Sequence, residues 1–91
     1  MQRRKGMEYI VIAFRSRSHT IKFHSFLENN GVKSEIINTP KNAGVGCGLS
    51  VKLSVNFLEI AKKAVKITSL SSFAGIFKVK TISGKILVRS I

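Results

Sequence analysis

The run Glu8-Tyr9-Ile10-Val11-Ile12-Ala13-Phe14 constrains the fold more than any other stretch, because it is nearly continuous in β-branched and aromatic residues. A half-exposed strand alternates apolar with polar residues, whereas a run without that alternation belongs to a strand buried on both faces. This is therefore the central first strand of a sheet. It has to be covered within 91 residues, about one ordinary domain and too few for two cores of useful size. A chain of that length buries roughly 60–65% of its unfolded surface, and the 44% apolar content is enough to fold it without disulfides.

The rest of the chain supplies the partners. Arg15-Ser16-Arg17-Ser18 ends the strand, and Ser16 or Ser18 is placed to cap a helix over His19 to Asn30, with Thr20, Phe23 and Leu27 on one face and Phe26 beside them. Gly31 stops that helix, since glycine reaches the left-handed conformation at no steric cost. Val32 to Thr39 reads as a second strand with Ile36 and Ile37 near its middle, ended by Pro40, which cannot donate to a ladder. After a loop over residues 41–48, Leu49, Val51, Leu53 and Val55 alternate with Ser50, Lys52 and Ser54, the period of a half-exposed third strand.

At Asn56 the period changes. Asn56 as N-cap and Glu59 as its capping-box partner open a second helix to about Lys66, with Phe57, Ile60, Ala61, Ala64 and Val65 as its stripe. Phe73 to Lys80 is a fourth strand, and Ser83-Gly84 a two-residue turn into a short edge strand, Lys85 to Ser90. The order predicts an α+β, ferredoxin-like βαββαβ sandwich: an antiparallel sheet, two helices on one face and an extra C-terminal hairpin strand. Residues 8–91 form the single domain, and residues 1–7 are expected to be a disordered basic arm.

Sixteen Lys and Arg stand against four acidic residues, a formal net charge of +12. Such a field attracts polyanions without any specific site. The lysines, however, are spread over both helices and several strands, so the expectation is weak, sequence-indifferent nucleic-acid binding, alongside possible acidic partner proteins. One cysteine excludes an internal disulfide, and no CxxC or zinc-ligand spacing is present. A reducing, cytoplasmic setting is expected, and with no apolar run long enough to span a bilayer, no membrane association.

The candidate chemistry is in Asn38-Thr39-Pro40-Lys41-Asn42-Ala43-Gly44-Val45-Gly46-Cys47-Gly48-Leu49. Gly44, Gly46 and Gly48 surround Cys47 and let consecutive amides form a nest that favours an anion, a thiolate included, with Lys41 or Lys52 adding positive charge. The alternative is a cysteine that packs as a small hydrophobe. No GK[ST] follows the glycines and a strand, not a helix, comes after them, which excludes a Walker or Rossmann phosphate loop. His19 and His24 lie five apart, not the four of a helical metal pair, and Glu8, Glu28, Glu35 and Glu59 offer no acid–base pair. A carrier or binding protein is thus expected before an enzyme, with neither cofactor nor metal.

Phe14 and Ser16, Gly31, Thr39-Pro40-Lys41 and Cys47-Gly48-Leu49, followed by Lys52, occur at the spacing of the selenium/sulfur (Se/S) carrier protein-like family, which the stretch Tyr9 to Val79 resembles. Two features depart from that pattern: Gly44-Val45-Gly46 replaces the serines usual before the cysteine, and Asn42 replaces an acidic residue. The resemblance implies a thiol carrier or adaptor in which Cys47 holds sulfur or selenium as a persulfide-like adduct. Thr39, Pro40, Lys41, Gly46, Gly48, Leu49 and Lys52 would form the surrounding motif, and donor and acceptor proteins would be the partners. The competing expectation is a basic nucleic-acid or polyanion module without covalent chemistry.

Overall fold

The central strand finds its neighbours in the order β2-β3-β1-β4-β5, every pair antiparallel. The computed structural model describes residues 6–44 and 47–91. Its elements are β1 (Gly6–Phe14), α1 (Arg17–Asn29), β2 (Glu35–Asn38), β3 (Leu49–Ser54), α2 (Leu58–Thr68), β4 (Phe73–Ile82) and β5 (Lys85–Ser90), with single 3-10 turns at Lys41–Ala43 and Val55–Phe57. The first four strands have the ferredoxin-like order, and β5 adds the expected hairpin strand through a turn in which Ser83 and Gly84 both have positive φ, at 49° and 80°.

β1 is buried on both faces, as its sequence requires. Ile10, Ile12 and Phe14 join Val51, Leu53 and Ile76 beneath Phe23 and Leu27 of α1 and Ala61 and Ala64 of α2 in one cluster, which sets both helices on one face. Phe14 is its aromatic centre, with ring centroids 5.1 Å from Phe23 and 6.0 Å from Phe73. On the other face Val11, Ala13, Phe77 and Val79 are also buried. The Lys41–Ala43 turn of the β2–β3 connection lies beside β5, at the opposite edge of the sheet.

Several boundaries differ from the sequence reading. Gly6 and Met7, expected in the arm, pair with Ile82 and Thr81, because β4 runs two residues past Lys80 and offers them partners; residues 1–5 lie outside the described residues. α1 starts at Arg17 because Ser16 is the cap, its hydroxyl accepting the His19 N–H at 3.3 Å. β2 starts only at Glu35. The Ser34 N–H donates to the Glu28 carboxylate at 2.9 Å, which holds the approach to the strand against the end of α1. The capping box at Asn56 does not form. Ser54 accepts the Asn56 N–H at 3.2 Å and opens a 3-10 turn, so α2 begins at Leu58 with no side-chain cap.

Candidate functional site

The loop bearing Cys47 is the connection between two paired strands, anchored where it leaves and where it returns. The Thr39 N–H donates to the Gly48 carbonyl at 2.8 Å, one pair beyond the ladder of β2 and β3, and the hydroxyls of Thr39 and Ser50 are hydrogen-bonded at 2.6 Å. Pro40 then turns the chain into the 3-10 turn, where its carbonyl accepts the Ala43 N–H at 3.0 Å. On the return, the Cys47 N–H reaches the other neighbour of β3 and donates to the Phe14 carbonyl at 3.0 Å, at the end of β1. Gly48 makes the bend between Cys47 and β3 with φ +98°, a region that a residue with a Cβ enters only under strain.

This backbone presents the Cys47 side chain, half-buried, to the first turn of α1. Sγ lies 3.7 Å from the Leu49 carbonyl, to which the thiol donates, and 3.8 Å from the Thr20 hydroxyl. Thr20 is fully buried, and its hydroxyl also faces the Ser16 carbonyl at 3.2 Å and the Leu49 carbonyl at 3.5 Å. The sulfur therefore has one rotatable O–H and one carbonyl beside it, in a residue that is half-buried. A residue so held is positioned by elements of the core.

A second set of bonds fixes the start of α1. Ser72 accepts the Ser16 N–H at its hydroxyl (3.2 Å), accepts the Arg15 N–H at its carbonyl (2.8 Å), and has its hydroxyl 2.6 Å from Nδ1 of His19. His24 is engaged elsewhere, with Nδ1 2.7 Å from the Ser34 hydroxyl. Both histidines thus tie elements together, and among the described residues no group of three His, Cys, Asp or Glu could hold a metal ion. No helix among them is long and apolar enough to cross a membrane.

Of the residues singled out from sequence, Thr39, Pro40, Cys47, Gly48 and Leu49 come together at this corner, and Lys41 is exposed on the adjoining turn. Gly46 lies outside the described residues. Lys52 goes elsewhere: its ammonium stands 4.5 Å over the ring of Tyr9, toward the opposite end of β1 from the Phe14 carbonyl that holds Cys47. Sequence reasoning placed Thr20 only on the apolar face of α1. A hydroxyl in the middle of such a stripe needs a buried partner, and that need was the available pointer to its place beside the sulfur.

A family model described as Putative Se/S carrier protein-like matches residues 9–71, from Tyr9 of β1 to the connection after α2 and with Cys47 inside the match. No curated protein and no solved structure matches the chain.

Proposed function

The chain belongs to the Putative Se/S carrier protein-like family, and from that premise we propose that Cys47 is the group that carries the cargo. In the loading step the Cys47 thiolate attacks the outer sulfur of a persulfide donor, R–S–SH. A bond forms between Sγ and that sulfur, the donor S–S bond breaks, and the donor thiolate leaves with the electron pair. Cys47 then holds a persulfide, one of the reversible cysteine modifications. An acceptor thiolate removes the outer sulfur by the same exchange and returns the Cys47 thiolate. Selenium in place of the outer sulfur follows the same path.

The observation that carries this reading is the seating of Cys47 inside the family match: backbone fixed to Phe14, side chain half-buried, Sγ beside the Thr20 hydroxyl. The chain's single cysteine adds a chemical argument. With no second thiol on the molecule, a persulfide cannot collapse to an internal disulfide, so the cargo stays until an outside thiol takes it. The test is intact mass after incubation with a small-molecule persulfide and removal of the excess. One added sulfur, lost on treatment with a thiol and absent in Cys47→Ser, is expected. A protein that gains no sulfur while its thiol is demonstrably free would end the carrier reading.

A further inference from the structure

Three of the four side-chain carboxylates of the chain lie at one end of the molecule, Cys47 lies at the other, and the fourth carboxylate, Glu35, is level with the middle of the sheet. β1, β2 and β5 run toward the Cys47 end, β3 and β4 away from it, while α1 starts there and α2 ends there. Glu8 is near the start of β1, Glu35 opens β2, Glu28 is in the last turn of α1 and Glu59 in the first turn of α2. Glu8, Glu28 and Glu59 are therefore at the far pole, and Glu35, in register with Lys52 and through it with Val11, is level with the middle of the sheet.

There the carboxylates are spent on internal contacts. Glu8 lies 3.9 Å from Lys78 and 3.6 Å from Lys80, Glu59 lies 3.8 Å from Lys62, and Glu28 accepts the Ser34 N–H, while the mid-sheet Glu35 is exposed. The Cys47 pole carries the opposite endowment: Arg15 after β1, Arg17 opening α1, Lys41 on the 3-10 turn and Lys66 in the last turn of α2, all exposed. Among the described residues no side-chain carboxylate stands near them. Net charge alone would not produce this, since lysines occur at both poles; the segregation is of the acids.

A pole of one sign steers a partner of the other sign and rejects its like. Resting on the carrier reading, we propose that this pole is the docking face for an acidic protein surface, the surface that brings a donor or acceptor thiol to Cys47. A protein is favoured over nucleic acid because, among the described residues, the phenylalanines at this pole offer no base-stacking platform: Phe14 is buried in the core and Phe73 packs edge-on against it.

The test uses two synthetic peptides of equal length, one rich in Glu and one rich in Lys, each with one cysteine activated as a mixed disulfide with thionitrobenzoate. Cys47 thiolate attacks the peptide sulfur, a protein–peptide disulfide forms, the activated S–S bond breaks, and thionitrobenzoate leaves with the electron pair and is read by its colour. At low salt the acidic peptide is expected to react at least about tenfold faster than the basic one, with the ratio falling toward unity as salt shortens the Debye length. Arg15→Gln with Arg17→Gln should lower the acidic peptide's rate about fivefold, whereas Lys33→Gln with Lys85→Gln, an equal charge loss at the far pole, should leave it within about twofold.

Equal losses in the two double variants, or no preference in the parent protein, would overturn the docking face. Should neither peptide react while a small neutral disulfide does, the docking face falls and the accessible thiol stands. Should the neutral disulfide fail as well, the carrier reading falls and takes this inference with it. A single-stranded RNA that suppresses the peptide reaction at physiological salt better than free acidic peptide of equal charge would assign the pole to nucleic acid instead.

Discussion

Gly48→Ala tests whether the bend that seats Cys47 is a backbone requirement. A Cβ built at Gly48 meets nothing within 4 Å, so no clash contributes, and the whole effect must come from φ +98°. Holding a residue with a Cβ in the left-handed region costs about 1–2 kcal/mol, and φ here lies beyond the centre of that region, which favours the upper part of the range. For a domain of this size each kcal/mol lowers Tm by roughly 4–8 °C, so thermal unfolding followed by circular dichroism should show a fall of about 5–15 °C. Gly31→Ala is the matched control, with φ +77° and again nothing within 4 Å, at the end of α1 far from the site. It should lose comparable stability. The two variants should part in a second assay, alkylation of Cys47 in the folded protein. Relaxing the bend at Gly48 strains the bonds from Thr39 to Gly48 and from Cys47 to Phe14 and changes the labelling rate, while Gly31→Ala leaves it at the parent value. A Gly48→Ala protein with parent Tm and parent labelling would refute the account of the bend.

Thr20→Val keeps the shape of a fully buried side chain and removes the hydroxyl beside Sγ; urea unfolding should report a loss of about 1 kcal/mol, and the persulfide-loaded protein should decay faster than loaded Thr20→Ser, which keeps the O–H. Phe14→Ala deletes the ring that packs against both Phe23 and Phe73, and a loss of about 3–5 kcal/mol is expected, visible as a large drop in the urea midpoint at unchanged slope. Glu8→Gln removes two ion pairs on a partly exposed carboxylate and should change stability by less than about 1 kcal/mol, a figure that thermal unfolding in low and high salt can bound. Binding of mixed-sequence RNA, titrated with salt, should be micromolar or weaker and fade near physiological ionic strength; tight, sequence-dependent binding there would restore the nucleic-acid reading.

The architecture was legible because each element had a periodicity of its own. The unbroken run of β1, the strict alternation of Leu49 to Val55 and the helical spacing of Phe23 and Leu27 leave little freedom once the strands must form one sheet. The misread details were tertiary. Ser34 gives its N–H to Glu28 rather than to a strand, and Ser54 outcompetes Asn56 as the cap before α2. Both are side chains chosen by what the fold brings near them, which local pattern does not encode. The site divides in the same way. Cys47 and its glycines stand out in the sequence, and Thr39 and Gly48 prove to be opposite each other, which gives the spacing between them a structural cause. Thr20 and the Phe14 carbonyl, far away in sequence, did not stand out. Lys52, close in sequence to Cys47, is carried away from it because strand β3 runs toward the other pole.

That direction of travel explains how one sheet separates structural from chemical work. The connection from β2 to β3 must turn at the pole where β1 ends and α1 begins, so its backbone lies within reach of the last carbonyl of β1 and the first turn of α1. A cysteine there is held by elements that belong to the core, with Phe14 contributing its ring to the packing and its carbonyl to the loop. Two of the carboxylates, which would repel both an anionic sulfur and an acidic partner, are held at the other end, Glu59 by Lys62 and Glu8 by Lys78 and Lys80. In the proposed carrier, a single half-buried thiol fixed at its backbone depends for its selectivity on what can approach. On the proposed docking face, approach is governed by the charge of Arg15, Arg17, Lys41 and Lys66, so exchanging that charge should change which thiols Cys47 meets without changing the fold that presents it.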